Sequence, residues 1–320
     1  MNSSPASLAA SAPNRIVNGL GLMIVAMLIA PFIDIFSKLA TDTASPTFIT
    51  AARFVFQALC MLPIVLWNGY WRAFSWRLSV FHAIRATLIT VSMVCFVATL
   101  AVMEVADAIA IFFVEPIILT VLSSIFLKEI IGWRRYTACA AGFAGAMIVI
   151  RPSFQEIGFV ALLPIVTAFC VAIFALLTRA LAHREDPWSM QFQMALWGIP
   201  ISAILLFVGD RTGIAFLAPS MPDGKTLMWL AGVGVFAALS GVLAVYAYRA
   251  APASVIAPLQ YFEIVSATLF GWLVFGDFPD PVKWLGISII IGSGLYIIWR
   301  ERRVASIKPV TTAAKSTVTP

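Results

Sequence analysis

The stretch EPIILTVLSSIFLKE, residues 115–129, is an apolar run that opens and closes on a carboxylate. Counting on 148 positions gives EIVSATLFGWLVFGD, residues 263–277, where Glu263 falls on Glu115 and Asp277 on Glu129. An apolar chain has no packing reason to hold acids at that spacing, and this one does so twice.

The surrounding composition sets the solvent. Of 320 residues, 61% are hydrophobic and 11% charged, and the mean hydropathy is +0.97. Soluble proteins carry roughly 25% charged residues, so this is a polytopic membrane protein. The net charge of +6 does not point to nucleic acid, because the basic residues lie in short loops between apolar runs, where they act as orientation signals. Cys60, Cys95, Cys139 and Cys170 stand singly inside apolar runs, which suits neither a disulfide framework nor a tetrahedral metal site. His82 and His183 are solitary too, so no metal and no bound cofactor is expected.

A spanning helix needs about 20 mostly apolar residues. That template predicts helices near 18–40, 46–67, 80–102, 107–127 and 134–151, then 157–178, 188–208, 227–248, 253–275 and 282–299. Residues 1–17 read as a polar tail and 300–320 as a basic one. Eight of the ten tryptophans fall at segment ends, where an amphipathic ring prefers the interface. The fold class expected is all-α and integral to the membrane, with ten helices as two five-helix repeats, residues 18–151 and 157–299.

The 148-residue offset runs without a gap from 106–150 to 254–298, pairing Phe113 with Tyr261, Thr120 with Thr268 and Tyr136 with Trp284. An offset of 141 pairs Lys38 with Arg179 and Pro46 with Pro187. An odd number of crossings per half inserts the halves upside down relative to each other. The loop KEIIGWRR holds Lys128, Arg134 and Arg135, whereas its repeat partner GDFPDPVK holds Lys283 beside Asp277 and Asp280. With both termini in the cytoplasm, fourteen basic residues lie inside and five outside, leaving Arg53 and Arg85 within helices. The positive-inside rule favours that orientation.

An ionised carboxylate at a helix centre costs about 2.5–3.5 kcal/mol on insertion scales, so such a group faces a partner or an aqueous cavity. Glu115 and Glu263 are therefore the candidate substrate- or proton-binding residues. Near the same depth lie Phe112, Phe113, Gln260 and Tyr261, with Gln193 and Tyr246 toward the cytoplasmic side, and this mixture of rings and amides suits a planar or amphipathic molecule. Asp34 and Arg53 share a depth at 1.5 Å rise per residue and form a candidate ion pair or gate. Glu129 and Asp277 sit about 21 Å from the inner acids along the axis. At the membrane surface they fasten the start of the next helix.

Several features together resemble the drug/metabolite transporter superfamily, in its ten-helix EamA form, over roughly residues 18–300. They are the A-x-A-rich ADAIAIFF opening the fourth helix, the mid-helix Pro116, the closing acids Glu129 and Asp277, and the glycine-bearing GFAGAMIVI and GISIIIGSG. The resemblance implies a secondary transporter with a cavity between its halves, working by alternating access in a bacterial-type inner membrane. Its substrate would be a small organic metabolite: a vitamin such as riboflavin, an amino-acid derivative or an S-adenosylmethionine-like compound, with protons as the candidate coupling ion. Export of amino acids or toxic metabolites is the alternative. Beyond the lipid bilayer and substrate, no partner is implied, and the carrier is expected as a monomer or homodimer.

An enzyme is the competing class. DGKT at 223–226 ends like a phosphate loop, but Pro219 stands where the first glycine belongs. DFPD at 277–280 faintly resembles a diphosphate-binding D-x-x-D, in one copy with a proline inside. No H-E-x-x-H or G-x-S-x-G occurs, so the chain is not expected to be an enzyme.

Overall fold

The computed structural model describes residues 18–70, 74, 76–127, 158–182, 184–250, 262–276 and 281–307, with scattered positions between 137 and 148. Every regular element in it is a helix. In chain order these are α1 (Asn18–Ala40), α2 (Pro46–Trp67), α3 (Trp76–Leu100), α4 (Val105–Phe112) and α5 (Glu115–Leu127). After a 3-10 turn at Gly158–Leu162 come α6 (Leu163–Leu181), α7 (Pro187–Thr212), α8 (Gly224–Ala250), α9 (Phe262–Phe275) and α10 (Pro281–Ile307). Six described segments are long and apolar enough to cross a membrane. Most of the predicted fifth helix at 134–151 and the tail at 1–17 lie outside the described residues, as do Glu129, Gln260, Tyr261 and the DFPD segment; of the tail expected at 300–320, residues 300–307 continue α10 and the rest lie outside too.

Local chemistry sets the helix ends. Ser45 precedes Pro46, and its Oγ accepts the Phe48 amide at 3.2 Å. Asp186 precedes Pro187, and its Oδ1 accepts the Trp188 amide at 2.9 Å. Proline at the first helical position lacks an N–H that would go unpaired anyway, while the capping oxygen satisfies another. These two starts are 141 residues apart. Asp223 caps α8 by accepting the Thr226 amide at 2.9 Å, and its hydrogen bonds with Thr226 hold its carboxyl below the usual aspartate value. α7 stops at Gly213, whose φ of 70° is left-handed.

The fourth crossing departs from the continuous helix expected over 107–127. It breaks at Phe113 and Val114, between α4 and α5. Pro116 supplies the reason: it has no N–H to give the Phe112 carbonyl. The chain tightens there, with the Val114 amide bonding the Ile111 carbonyl at 3.2 Å. The sixth crossing likewise opens on a 3-10 turn rather than as α-helix from residue 157.

In cross-section α2 packs on α7 and α8, α3 on α6 and α7, and α8 on α1. α5 lies on α6, and α9 on α4 and α1, while α2 also meets α3 and α7 meets α8. Glycine permits the closest approaches. A Cβ at Gly198 of α7 would lie 2.5 Å from the Phe54 ring of α2. One at Gly234 of α8 would lie 2.9 Å from the Gln57 amide nitrogen and 3.0 Å from the Arg53 carbonyl. Large apolar residues point outward instead: Leu59, Ile204, Phe207 and Leu273 are 57–63% exposed, as lipid contact requires. Buried hydroxyls bond back along their own helices, Thr50 to the Pro46 carbonyl at 2.8 Å and Thr90 to that of Ala86 at 2.7 Å, because hydrocarbon offers no other partner.

Candidate functional site

Glu115 is the first residue of α5, immediately past the break, and is 2% exposed. Its Oε1 has no hydrogen-bond partner. Glu263 lies in the first turn of the described part of α9 and is partly buried. It is within electrostatic reach of both Glu115 and Asp34. α9 is held to α1 by the Ser266 hydroxyl, 3.1 Å from the Met27 carbonyl, and to α4 through Gly271, which faces Val105.

Asp34 is buried on α1, and Arg53 stands on α2 within electrostatic reach of it. Arg53 sends Nη1 to the Met93 sulfur of α3 at 3.3 Å, while its Nε is buried without a partner. Asp34, Arg53, Glu115 and Glu263 thus form one electrostatic group fed by α1, α2, α5 and α9. One turn beyond Arg53, Gln57 is the twelfth of the 22 residues of α2 and is fully buried. Neither its Oε1 nor its Nε2 has a partner.

The predicted aromatics lie close by along the chain but serve the core. Phe113 is 1% exposed in a cluster with Phe96, Ile109 and Val114, and Phe112 meets the rings of Phe96 and Phe113 edge-on at 6.0 Å. A separate aromatic stack joins Phe32 of α1 to Phe236 of α8 at 5.0 Å and Phe270 of α9 at 4.6 Å.

Gln193 and Tyr246, expected toward the cytoplasmic side, have partners of their own. Tyr246 packs, as Tyr70 and Trp188 do, against the buried cluster that includes Phe54, Phe192 and Val242. Gln193 Nε2 donates to Glu185 Oε2 at 3.0 Å and to Ser189 Oγ at 3.2 Å. Glu185 in turn takes His82 Nε2 at 3.0 and 3.1 Å. His82 Nδ1 lies 3.0 Å from Arg85 Nη1. Arg85, fully buried, also donates from Nε to Thr178 Oγ1 at 3.2 Å and lies over the Phe174 ring at 4.8 Å. This second polar group ties α3, α6 and α7 together beside the α6–α7 connection.

Sequence reasoning passed over Gln57, Arg85 and Glu185. Gln57 carries a legible signal: it follows Arg53 by four residues, so both share one face of an otherwise apolar helix. Arg85 and Glu185 are 100 positions apart, and nothing in either local window announces the other.

Comparison with known proteins places these groups in a family. Residues 17–151 and 158–300 each match the EamA-like transporter family. A riboflavin transporter of Rhizobium johnstonii is 30% identical over 91% of this chain and 94% of its own length. A riboflavin transporter of Vibrio cholerae is 29% identical over 81% and 87%, and an S-adenosylmethionine uptake transporter of Rickettsia felis is 25% identical over 91% and 96%. A crystal structure sharing 15% identity superposes with a TM-score of 0.64, covering 89% of this chain and 98% of that one.

Proposed function

The chain belongs to the EamA-like transporter family, and from that premise we propose that it carries riboflavin inward across the bacterial inner membrane, by alternating access coupled to protons. That it is a multi-pass membrane protein moving a small organic metabolite, a transporter rather than an enzyme, follows from the family and its named relatives. Riboflavin is favoured over other metabolites by the Rhizobium and Vibrio proteins.

The packing supports an inverted-repeat reading. Exchange the first crossing with the sixth, the second with the seventh, the third with the eighth and the fourth with the ninth. The α3–α6 contact then becomes α8–α1, α2–α8 becomes α7–α3, α5–α6 becomes α9–α1 and α2–α3 becomes α7–α8. The contacts α2–α7 and α4–α9 map onto themselves, as contacts on a two-fold axis must. Carriers of this design hold their substrate near the midplane, at the interface of the repeats. The basic residues orient both termini toward the cytoplasm.

The mechanism rests on the 148-residue register that pairs Glu115 with Glu263 and on the electrostatic reach between the two acids. Like charges within reach of each other resist joint ionisation, which lets one proton be shared between the two acids. In each cycle the pair takes a proton from one side and releases it to the other as the cavity changes face. Three carboxylates linked through Asp34 and Glu263, with Arg53 facing Asp34 alone, would also suit a cation. That surplus favours a second reading, an S-adenosylmethionine-like cargo.

Riboflavin flux into proteoliposomes, with and without an imposed pH gradient, tests both steps. Uptake driven by the gradient is expected, with S-adenosylmethionine as the competitor. Glu115→Gln and Glu263→Gln are near-isosteric and neutral, so each should fold yet lose gradient-driven accumulation, with exchange spared in at least one. If both glutamine variants accumulate substrate like the parent, the acids are structural.

A further inference from the structure

We propose that Gln57, assisted by Arg53, is the specificity-determining contact that reads the imide edge of the transported ring; this rests on the flavin reading above. Among the described residues, Gln57 is the one side chain whose donor and acceptor are both buried and both without partners. A primary amide in that condition asks for a ligand offering an N–H beside a carbonyl. Gln57 Oε1 would accept the ring N–H, and Nε2 would donate to the adjacent ring carbonyl.

Arg53 completes the pattern. It precedes Gln57 by four residues, so the two lie one above the other on the same face of α2, and its Nε is also buried and unpartnered. Together they supply two donors and one acceptor. An imide, carbonyl–N–H–carbonyl, presents the complementary acceptor, donor and acceptor, and the pyrimidine edge of a flavin is such a group.

In the present conformation Gln57 is sealed. α8 lies against the backbone of α2 at this level, where a Cβ at Gly234 would crowd the main-chain nitrogen of Gln57, and the Gln57 side chain itself is fully buried. The substrate edge therefore reaches the Gln57 side chain only when the helices around it part, and the unpaired amide weighs against the closed packing until then. A buried polar group left without partners is destabilising, whereas an apolar replacement of similar shape removes the penalty. Gln57 should thus trade stability for recognition, which a side chain serving only to pack would not do.

The test compares riboflavin with 3-methylriboflavin, whose imide N–H is blocked, as substrates of the purified chain in proteoliposomes. The parent should prefer riboflavin by roughly tenfold or more, because a site built to hydrogen-bond a group rejects the analogue lacking it. Gln57→Leu should bring the two rates within about twofold and raise the apparent melting temperature of the substrate-free protein by about 2 °C. Gln57→Met, close in volume, is the second variant and should behave alike. Retained discrimination in both variants, or equal uptake of both flavins by the parent, would overturn the proposal while leaving riboflavin transport standing. Failure of both variants to fold would also overturn it, since the amide would then be satisfied at rest. If the parent takes up neither flavin, the substrate reading fails, and the imide assignment with it.

Discussion

Arg85 and His82 stand one turn apart on α3, with guanidinium Nη1 3.0 Å from imidazole Nδ1. A guanidinium has only donors, so Nδ1 must accept, the ring proton must sit on Nε2, and Nε2 donates to Glu185. The arrangement therefore selects the tautomer with the proton on Nε2. Nitrogen NMR of a His183→Gln background, labelled at histidine, should show the Nε2–H form. A Nδ1–H signature would mean that Arg85 does not bond the ring.

The same contacts predict a coupled network. Arg85→Met leaves the Glu185 carboxylate, only 7% exposed, without the neighbouring positive charge, and should cost about 3–5 kcal/mol of stability. Adding Glu185→Gln should recover a large part. Thermal unfolding of the two single variants and the double checks this, and strict additivity would show that the groups are independent.

Asp34 and Arg53 act on each other through space, without a direct salt bridge within 4 Å between them. Asp34→Asn is expected to impair folding or transport, because it leaves a buried guanidinium facing no counter-charge. Arg53→Gln placed on top should restore part of the lost folding stability, read by thermal unfolding. If the double variant is as damaged as the two singles summed, the residues are not electrostatic partners.

Two glycines of α8 should respond differently to one added methyl. At Gly234 the new Cβ meets backbone of α2 at Arg53 and Gln57, which cannot turn aside. Gly234→Ala should cost about 1–3 kcal/mol, as overpacking does. At Gly241 the obstructing atoms are the end of the Gln191 side chain, which can swing away, so Gly241→Ala should be much milder. Similar losses at both sites would mean that the α2–α8 contact is softer than described.

Orientation can be read from outside. In a background lacking Cys60, Cys95, Cys139 and Cys170, single cysteines at Met221 and Arg184, both exposed, probe the α7–α8 and α6–α7 connections. An impermeant thiol reagent applied to intact cells should label the first and spare the second. Equal labelling would sink the inverted orientation.

The helices were legible because membrane spans are written in long apolar runs: α2 occupies the predicted 46–67, and α7 and α8 begin within three residues of expectation. The break before Glu115 was not read, although Pro116 stands beside it, because hydropathy does not change where a helix interrupts. Among the site residues, Glu115, Glu263, Asp34 and Arg53 announced themselves as charges inside apolar windows. Gln57 did not, since an uncharged amide barely lowers a window average and its lack of partners is a property of packing alone. Gln193 was placed toward the cytoplasmic side of the cavity from its depth, but depth fixes one coordinate of three, and its bonds to Glu185 and Ser189 could not be read from it. His82 read as a solitary ring because its partner arrives from 103 residues away.

Ser45 has two tasks for one side chain. Its Oγ accepts the Phe48 amide that opens α2 and donates to the Ala218 carbonyl at 2.6 Å, while its own amide bonds Ser220 Oγ at 2.8 Å. Thr47 adds a bond to the Phe216 carbonyl at 2.9 Å. The cap of a helix in the first matched segment and the strap over a connection in the second are therefore a single oxygen. A fluorophore or epitope tag inserted between 216 and 220 would unwind the first turn of α2 as well as disturb its own loop. Anyone instrumenting this carrier to watch it move would do better to leave that connection untouched, since a probe there would alter the motion it was meant to report.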